Sequence, residues 1–265
     1  ERIELQIGGD DMLHLMQFEL GDLDIMSMAD LTPPDFARLT RDPKWKPYIV
    51  SAPMMDIRYV ALNTEMKPFD DRRVRQAMNY GVNRERIASF LNGRAHTARG
   101  ALPPQMPGYN PQLFKYPYDP ARAKQLLKEA GYANGFDVTL WYAPVPEAWY
   151  GKAAQSIKQD LSKLNVRVNL KPVTYAELKT AAGKRGNIKM AMMGWLQDFP
   201  DPSNFLDVLF NGKKITAEAS NNRAFYNNPQ VNALLTAAAR EVDWDKRLKL
   251  YQRAEKTIVQ DGPWI

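Results

Sequence analysis

The spacing of apolar positions changes along the chain, and each change marks an element. Val74, Ala77, Met78 and Gly81 fall on one helical face, and Ile87, Phe90 and Leu91 repeat the pattern behind Asn83, a good N-cap. Asp119-Pro120 reads as a sharp helix start, a capping carboxylate followed by a proline whose fixed φ suits the first turn. Ala123, Leu126, Leu127 and Ala130 supply the buried stripe of that helix, and Gly131 ends it. Three strand–helix alternations follow. Phe136–Ala143 reads as a strand, Glu147–Leu164 as a helix with Ala154, Ile157, Leu161 and Leu164 inward, and Val166, Val168 and Leu170 as a second strand. Tyr175–Ala182 is a short helix. Ile188–Trp195 is nearly all apolar, the pattern of a strand covered on both faces. This order predicts an α/β unit with right-handed crossovers. Asn228-Pro229 repeats the cap-plus-proline device ahead of Val231, Leu234, Leu235, Ala238 and Val242, and Leu250, Tyr251, Ala254 and Ile258 line a last helix.

The earlier part of the chain has a weaker pattern. Ile3–Ile7 is strand-like, Gly8-Gly9-Asp10 is a turn, and Asp11–Leu20 is a helix. Gly21-Asp22-Leu23-Asp24-Ile25 reads as a turn into a short buried strand, and Leu31-Thr32-Pro33-Pro34-Asp35 starts a helix carrying Phe36 and Leu39. Arg58–Asn63, rich in β-branched and aromatic residues, is a strand. Ala101-Leu102-Pro103-Pro104 through Pro111 has no period and reads as a proline-rich loop.

Composition narrows the chemistry. The chain has 265 residues, 45% of them hydrophobic, so it has material for one or two domains with a real core. It has no Cys, which removes disulfides, thiolate metal sites and Cys nucleophiles, and only two His, His14 and His96, which removes a multi-histidine metal site. The net charge is +6, but the signs interleave: Arg72, Arg73 and Arg75 follow Asp70 and Asp71, and Arg84 and Arg86 flank Glu85. Mixed signs of this kind make a solvated surface rather than the one-sided stripe that nucleic acid requires. No apolar stretch is long enough to span a bilayer. The first residue is Glu1, and Gly262-Pro263-Trp264-Ile265 reads as the beginning of a further element, so the expectation is a fragment of a longer exported protein.

In open α/β sheets, ligands bind beyond the carboxyl ends of the strands. The third strand ends at Gly194-Trp195, and Leu196-Gln197-Asp198-Phe199-Pro200-Asp201-Pro202-Ser203-Asn204-Phe205 follows. An acidic, aromatic loop stiffened by two prolines suits a cation with an apolar neighbour, such as a peptide α-ammonium beside its first side chain. Asp201-Pro202 has the form of a helix cap, which assigns Asp201 to structure and leaves Asp198 for a ligand. Taken alone, Trp195 belongs to a buried run, and Met190, Met192 and Met193 read as core. His96 reads as a loop residue. No Ser stands in a G-x-S-x-G context, no glycine-rich phosphate loop occurs, and no nucleophile–base–orienter set presents itself, so the chain is not read as an enzyme.

Leu62–Tyr80, which contains Asn63, Pro68-Phe69-Asp70-Asp71 and Val74-Arg75-Gln76-Ala77, resembles the N-x-x-x-x-P-F-D-D-x-x-V-R-Q-A-x-x-Y signature of solute-binding protein family 5. These are the peptide- and nickel-type binding proteins of ABC importers. Gly21–Ile25, Asn83–Ile87, Tyr118–Leu127, Glu129–Tyr132 and Arg247–Gln252 are similar to further segments of the family in the same order.

The resemblance implies a periplasmic-binding-protein type II-like two-lobed clamp. Residues 1–63 would be part of lobe I, 64–261 lobe II, and 262–265 the start of a return into lobe I. It implies an extracytoplasmic component, periplasmic or at the cell surface, that binds a small peptide between the lobes and delivers it to ABC permease subunits. A monomer without cofactor or nucleic-acid partner is expected. An Asp three residues after a Gly-Trp pair grips the ligand's amino terminus in peptide-binding relatives, which gives that role to Asp198; Trp195 inherits a side-chain pocket, and Phe199 completes the ligand-binding set. Some oligopeptide binders have Arg two residues before the Gly, where this chain has Met192. A nickel chelate or an oligosaccharide is the alternative ligand within the family. The alternative outside it is a basic domain for nucleic acid or an anionic surface.

Overall fold

The computed structural model describes residues 2–6, 11–27, 31–144 and 149–265. Its elements in chain order are α1 (Asp11–Leu20), α2 (Pro33–Arg41), β1 (Asp56–Leu62), α3 (Arg72–Gly81), α4 (Arg84–Ser89), α5 (Pro120–Glu129), β2 (Asp137–Tyr142), α6 (Trp149–Ser162), β3 (Arg167–Pro172), α7 (Tyr175–Gly183), β4 (Met190–Leu196), α8 (Ser203–Phe210), α9 (Pro229–Arg240) and α10 (Trp244–Asp261).

The caps read from the sequence form. Asn83 accepts from the Arg86 amide, Asp119 from Arg122, and Asn228 from Gln230 and Val231. Each satisfies an amide that the first helical turn leaves without a partner. At the other end of α10, Gly262 takes φ +61°, the left-handed cap that a side chain would strain.

The strands form one mixed sheet in the order β1-β4-β2-β3. β2 runs parallel to both β3 and β4, while β1 runs antiparallel to β4 with Asp56 opposite Leu196 and Leu62 opposite Met190. The apolar run thus becomes a central strand, and Met190, Met192 and Met193 are buried core as expected. On one face, Ile57, Tyr59, Ala61, Ala191 and Met193 pack under α7 to α10; on the other, Val60, Leu62, Met190 and Met192 pack under α3, α5 and α6. The free edge of β1 is taken by residues 263–265. Val60 and Ile265 exchange two amide–carbonyl bonds of 2.9 Å, and Trp264 stacks on Tyr59.

Several expectations are corrected. The residues 3–6 of the expected first strand pair with nothing in a sheet; Ile7 lies outside the described residues, as do Gly8-Gly9-Asp10 and Glu147. Gly21–Ile25 turns at Gly21 but forms no strand, and Ile25 is 86% exposed rather than buried. Alternation alone does not make a strand without a neighbouring edge to satisfy its amides. Apart from these corrections, β1 belongs to the same sheet as β2 to β4, and residues 56–62 share the core of the residues that follow them. The proline-rich segment is a loop, as read, and its Ala101, Leu102 and Met106 are buried in the core beneath α10. A small separate cluster of Leu15, Leu31 and Leu39 holds α1 and α2.

Candidate functional site

β4 is buried from Met190 to Met193 and opens at Gly194, where it leaves the shelter of the helices. The chain can pass here because position 194 has no side chain. A Cβ would stand 2.9 Å from Cδ of Arg58, whose side chain lies across Gly194 and pairs with Asp56 at 2.9 Å. Trp195 faces the opposite side of the sheet, half-buried against the core that α8 covers. The loop that follows is tied back at Gln197, whose amide donates 2.9 Å to the Met55 carbonyl.

The two acids of this loop have different surroundings. Asp201 is occupied. Its Oδ1 accepts from the Ser203 amide at 2.9 Å, but the N-cap of α8 is Pro202, so Asp201 stands one residue ahead of the cap position read from the sequence; Nη2 of Arg247 on α10 reaches both its oxygens at 3.0 and 2.9 Å. Asp198 is exposed, and no Lys or Arg pairs with it among the described residues. Among the described residues its carboxylate meets only Asn204, whose Nδ2 donates to Oδ2 at 3.1 Å. Asn204 Oδ1 accepts from the Asp198 amide at 3.0 Å and from the Trp195 indole N–H at 3.1 Å. Asn204 lies buried on the first turn of α8 beside Phe205 and Leu206, so a rigid helix holds the group that holds the loop.

The structure therefore brings Trp195 and Asp198 together around one amide side chain. Phe199 follows them in the chain, 46% exposed, and makes no ring contact among the described residues. A carboxylate without a counter-cation, next to an indole ring at the end of a central strand, can accept charge-assisted hydrogen bonds from a protonated amine. Sequence reasoning missed Asn204, Arg247 and Arg58. Only Arg247 carried a signal: it heads a helix whose inward stripe, Leu250, Tyr251 and Ala254, places position 247 one turn earlier on the same side. Among the described residues no group of three or more His, Asp or Glu side chains could hold a metal ion, and no helix is long and apolar enough to cross a membrane.

The comparisons with known proteins fall on this geometry. The model of "Bacterial extracellular solute-binding proteins, family 5 Middle" matches residues 1–217. The chain belongs to this family. Heme-binding protein A of Haemophilus influenzae is 35% identical over all of the chain and 48% of that protein's length. The dipeptide-binding protein of Escherichia coli is 34% identical over 87% of the chain and 43% of its own length. Among solved structures, the periplasmic binding protein DppA from Helicobacter pylori in complex with the peptide STSA superposes with a TM-score of 0.83 at 29% identity, over 97% of the chain and 49% of that chain. The chain spans about half the length of the family 5 relatives it matches. The fold is accordingly that of part of a type II periplasmic binding protein, a mixed α/β architecture.

Proposed function

We propose that the protein containing this chain is the extracytoplasmic solute-binding component of an ABC importer and that it captures short peptides by their amino terminus at Asp198. The observation that carries the reading is the contrast between the two acids of the loop after β4: Asp201 is paired with Arg247, while Asp198 has no cation among the described residues and is held at the strand end beside Trp195. Asp198 accepts the α-ammonium, and Trp195 and Phe199 flank the first side chain. Residues 1–63 contribute to lobe I and 64–261 form lobe II. Residues 56–62 pair with β4 on one side and with residues 263–265 on the other. Ligand binds better to the closed arrangement of the lobes and so shifts the population toward it; that form docks on the permease. The protein works as a monomer in the periplasm or at the cell surface, without a cofactor and without chemistry on its ligand.

Titration calorimetry of the full-length protein with Met-Leu and Ser-Thr-Ser-Ala tests this. Asp198→Ala should weaken binding by about 2–4 kcal/mol, because a charged partner of the ammonium is lost. Wild-type affinity in that variant refutes the role. A second reading has its own observation, the relative named for heme that matches the whole chain. Heme bound where neither peptide binds, and unaffected by Asp198→Ala, favours it.

A further inference from the structure

Asn204 is buried, exposed to 1%, yet all three of its side-chain hydrogen bonds go to residues of the proposed binding corner. Its Oδ1 receives two N–H donors, the Trp195 indole and the Asp198 amide, and its Nδ2 gives one hydrogen to Asp198 Oδ2. Exchanging oxygen and nitrogen would set N–H groups against both donors and an acceptor against the carboxylate, so the chemistry admits one orientation. Its backbone is fixed as well, since its amide donates 3.0 Å to the Asp201 carbonyl and its neighbours Phe205 and Leu206 are wholly buried.

We infer that Asn204 is the positioning residue of the site: it locks the Trp195 ring and the Asp198 carboxylate into one preset unit, with Asp198 Oδ1 alone presented to a single protonated amine. This rests on the reading that Asp198 takes the ligand's ammonium. Asp198 Oδ2 is committed to Asn204, and Oδ1 has no hydrogen bond among the described residues. A ligand therefore meets one free carboxylate oxygen at a set distance from one edge-anchored indole. The ligand class this selects has a free primary amine adjoining an apolar or small side chain. An N-acylated peptide brings no cation and leaves the carboxylate without a partner, which a polar site rejects strongly.

A residue that only fastened the loop to α8 would make the same bonds, so the test needs a readout that fastening does not move. Asn204→Asp keeps the acceptor for both N–H groups but replaces the donated hydrogen with an anionic oxygen facing Asp198. Two carboxylates this close take up a first, shared proton at a higher pH than a lone carboxylate, and that uptake drops the pair from two negative charges to one and weakens its hold on the ammonium. The experiment is calorimetric titration of the full-length wild type, Asp198→Ala, Asn204→Ala and Asn204→Asp with Ser-Thr-Ser-Ala and its N-acetyl form across the acid-to-neutral range. Asn204→Ala should weaken the free-amine peptide by roughly 10- to 100-fold and narrow its advantage over the acetylated one. Asn204→Asp should move the pH below which affinity falls upward by about one unit. A wild-type pH profile in Asn204→Asp, with binding still weakened in Asp198→Ala, overturns the inference. Should Asn204→Ala fail to fold, Asn204→Asp decides alone. Wild-type affinity in Asp198→Ala overturns the proposed function itself, and the positioning role with it.

Discussion

Asp160 and Glu255 are both acids removed from water by the same sheet, one on each side, and the two sides treat them in opposite ways. On the α6 side, Asp160 is wholly buried but surrounded: Arg86 stands at 2.9 Å, Lys163 at 3.1 Å, and the Asn83 amide donates at 2.9 Å. On the α10 side, Glu255 is equally buried, yet its Oε1 accepts only from the backbone of the proline-rich segment, with Leu102 N at 2.9 Å, and its Oε2 has no partner. Burial pushes its carboxyl up to about 7, the two backbone N–H groups of Leu102 and Ala101 opposing only in part. The first acid anchors α4 to α6 by charge. The second closes a loop over the core without a counter-cation, on the side of the sheet where Asp198 also lacks one.

The largest effect should come from breaking the matched side. Asp160→Ala leaves Arg86 and Lys163 facing each other without their acid, and should cost about 3 kcal/mol, the lower end for a broken buried pair because both cations are partly exposed. Denaturant midpoints at constant m-value measure it, and a loss under about 1 kcal/mol would mean that water repays the cations.

The unmatched side predicts a pH dependence instead. The folded-state value of Glu255, about 7, lies above its ordinary 4.5, so the folded protein holds this proton more tightly. That contribution is fully present below pH 4.5 and is lost as pH rises through about 7, up to about 3 kcal/mol in all. Glu255→Gln should flatten that part of the stability curve; an unchanged slope would show that the carboxyl is not responsible. The smallest effect belongs to a pair that neither side buries. Arg167 meets Asp137 at 2.7 Å in the open at the start of β3, and Arg167→Gln should leave the melting temperature unchanged within error.

Much of the helical framework was legible because a helix declares itself locally. Stripe, cap and stop lie within a few residues, as at Asp119-Pro120 with Leu126, and at Asn228-Pro229 with Leu235. Strands were legible where burial on both faces forced an apolar run, as in β4, and were misread at Ile3–Gln6 and Leu23–Ile25, which pair with no strand among the described residues. The burial of Leu102 and Met106 was invisible because the segment follows no period and depends on α10, far along the chain. Glu255 had a readable signal: with Tyr251, Ala254 and Ile258 it completes the i, i+3, i+4, i+7 stripe, so its position predicts burial even though its chemistry does not. At the proposed site, family resemblance pointed to Asp198, but nothing in the sequence linked Asn204 to Trp195. That link exists only once α8 folds back against the end of β4.

The ladder between β1 and residues 263–265 has a consequence for modularity. Ala61 and Trp264 stand opposite each other, so the first strand of the sheet and residues 263–265 lie side by side. A unit with neighbouring entry and exit has the topology of a cassette. It needs only two short, side-by-side connections to a host, and closing its ends costs little chain entropy. Residues 56–265 set into a surface loop of an unrelated scaffold should keep the end of β4 intact.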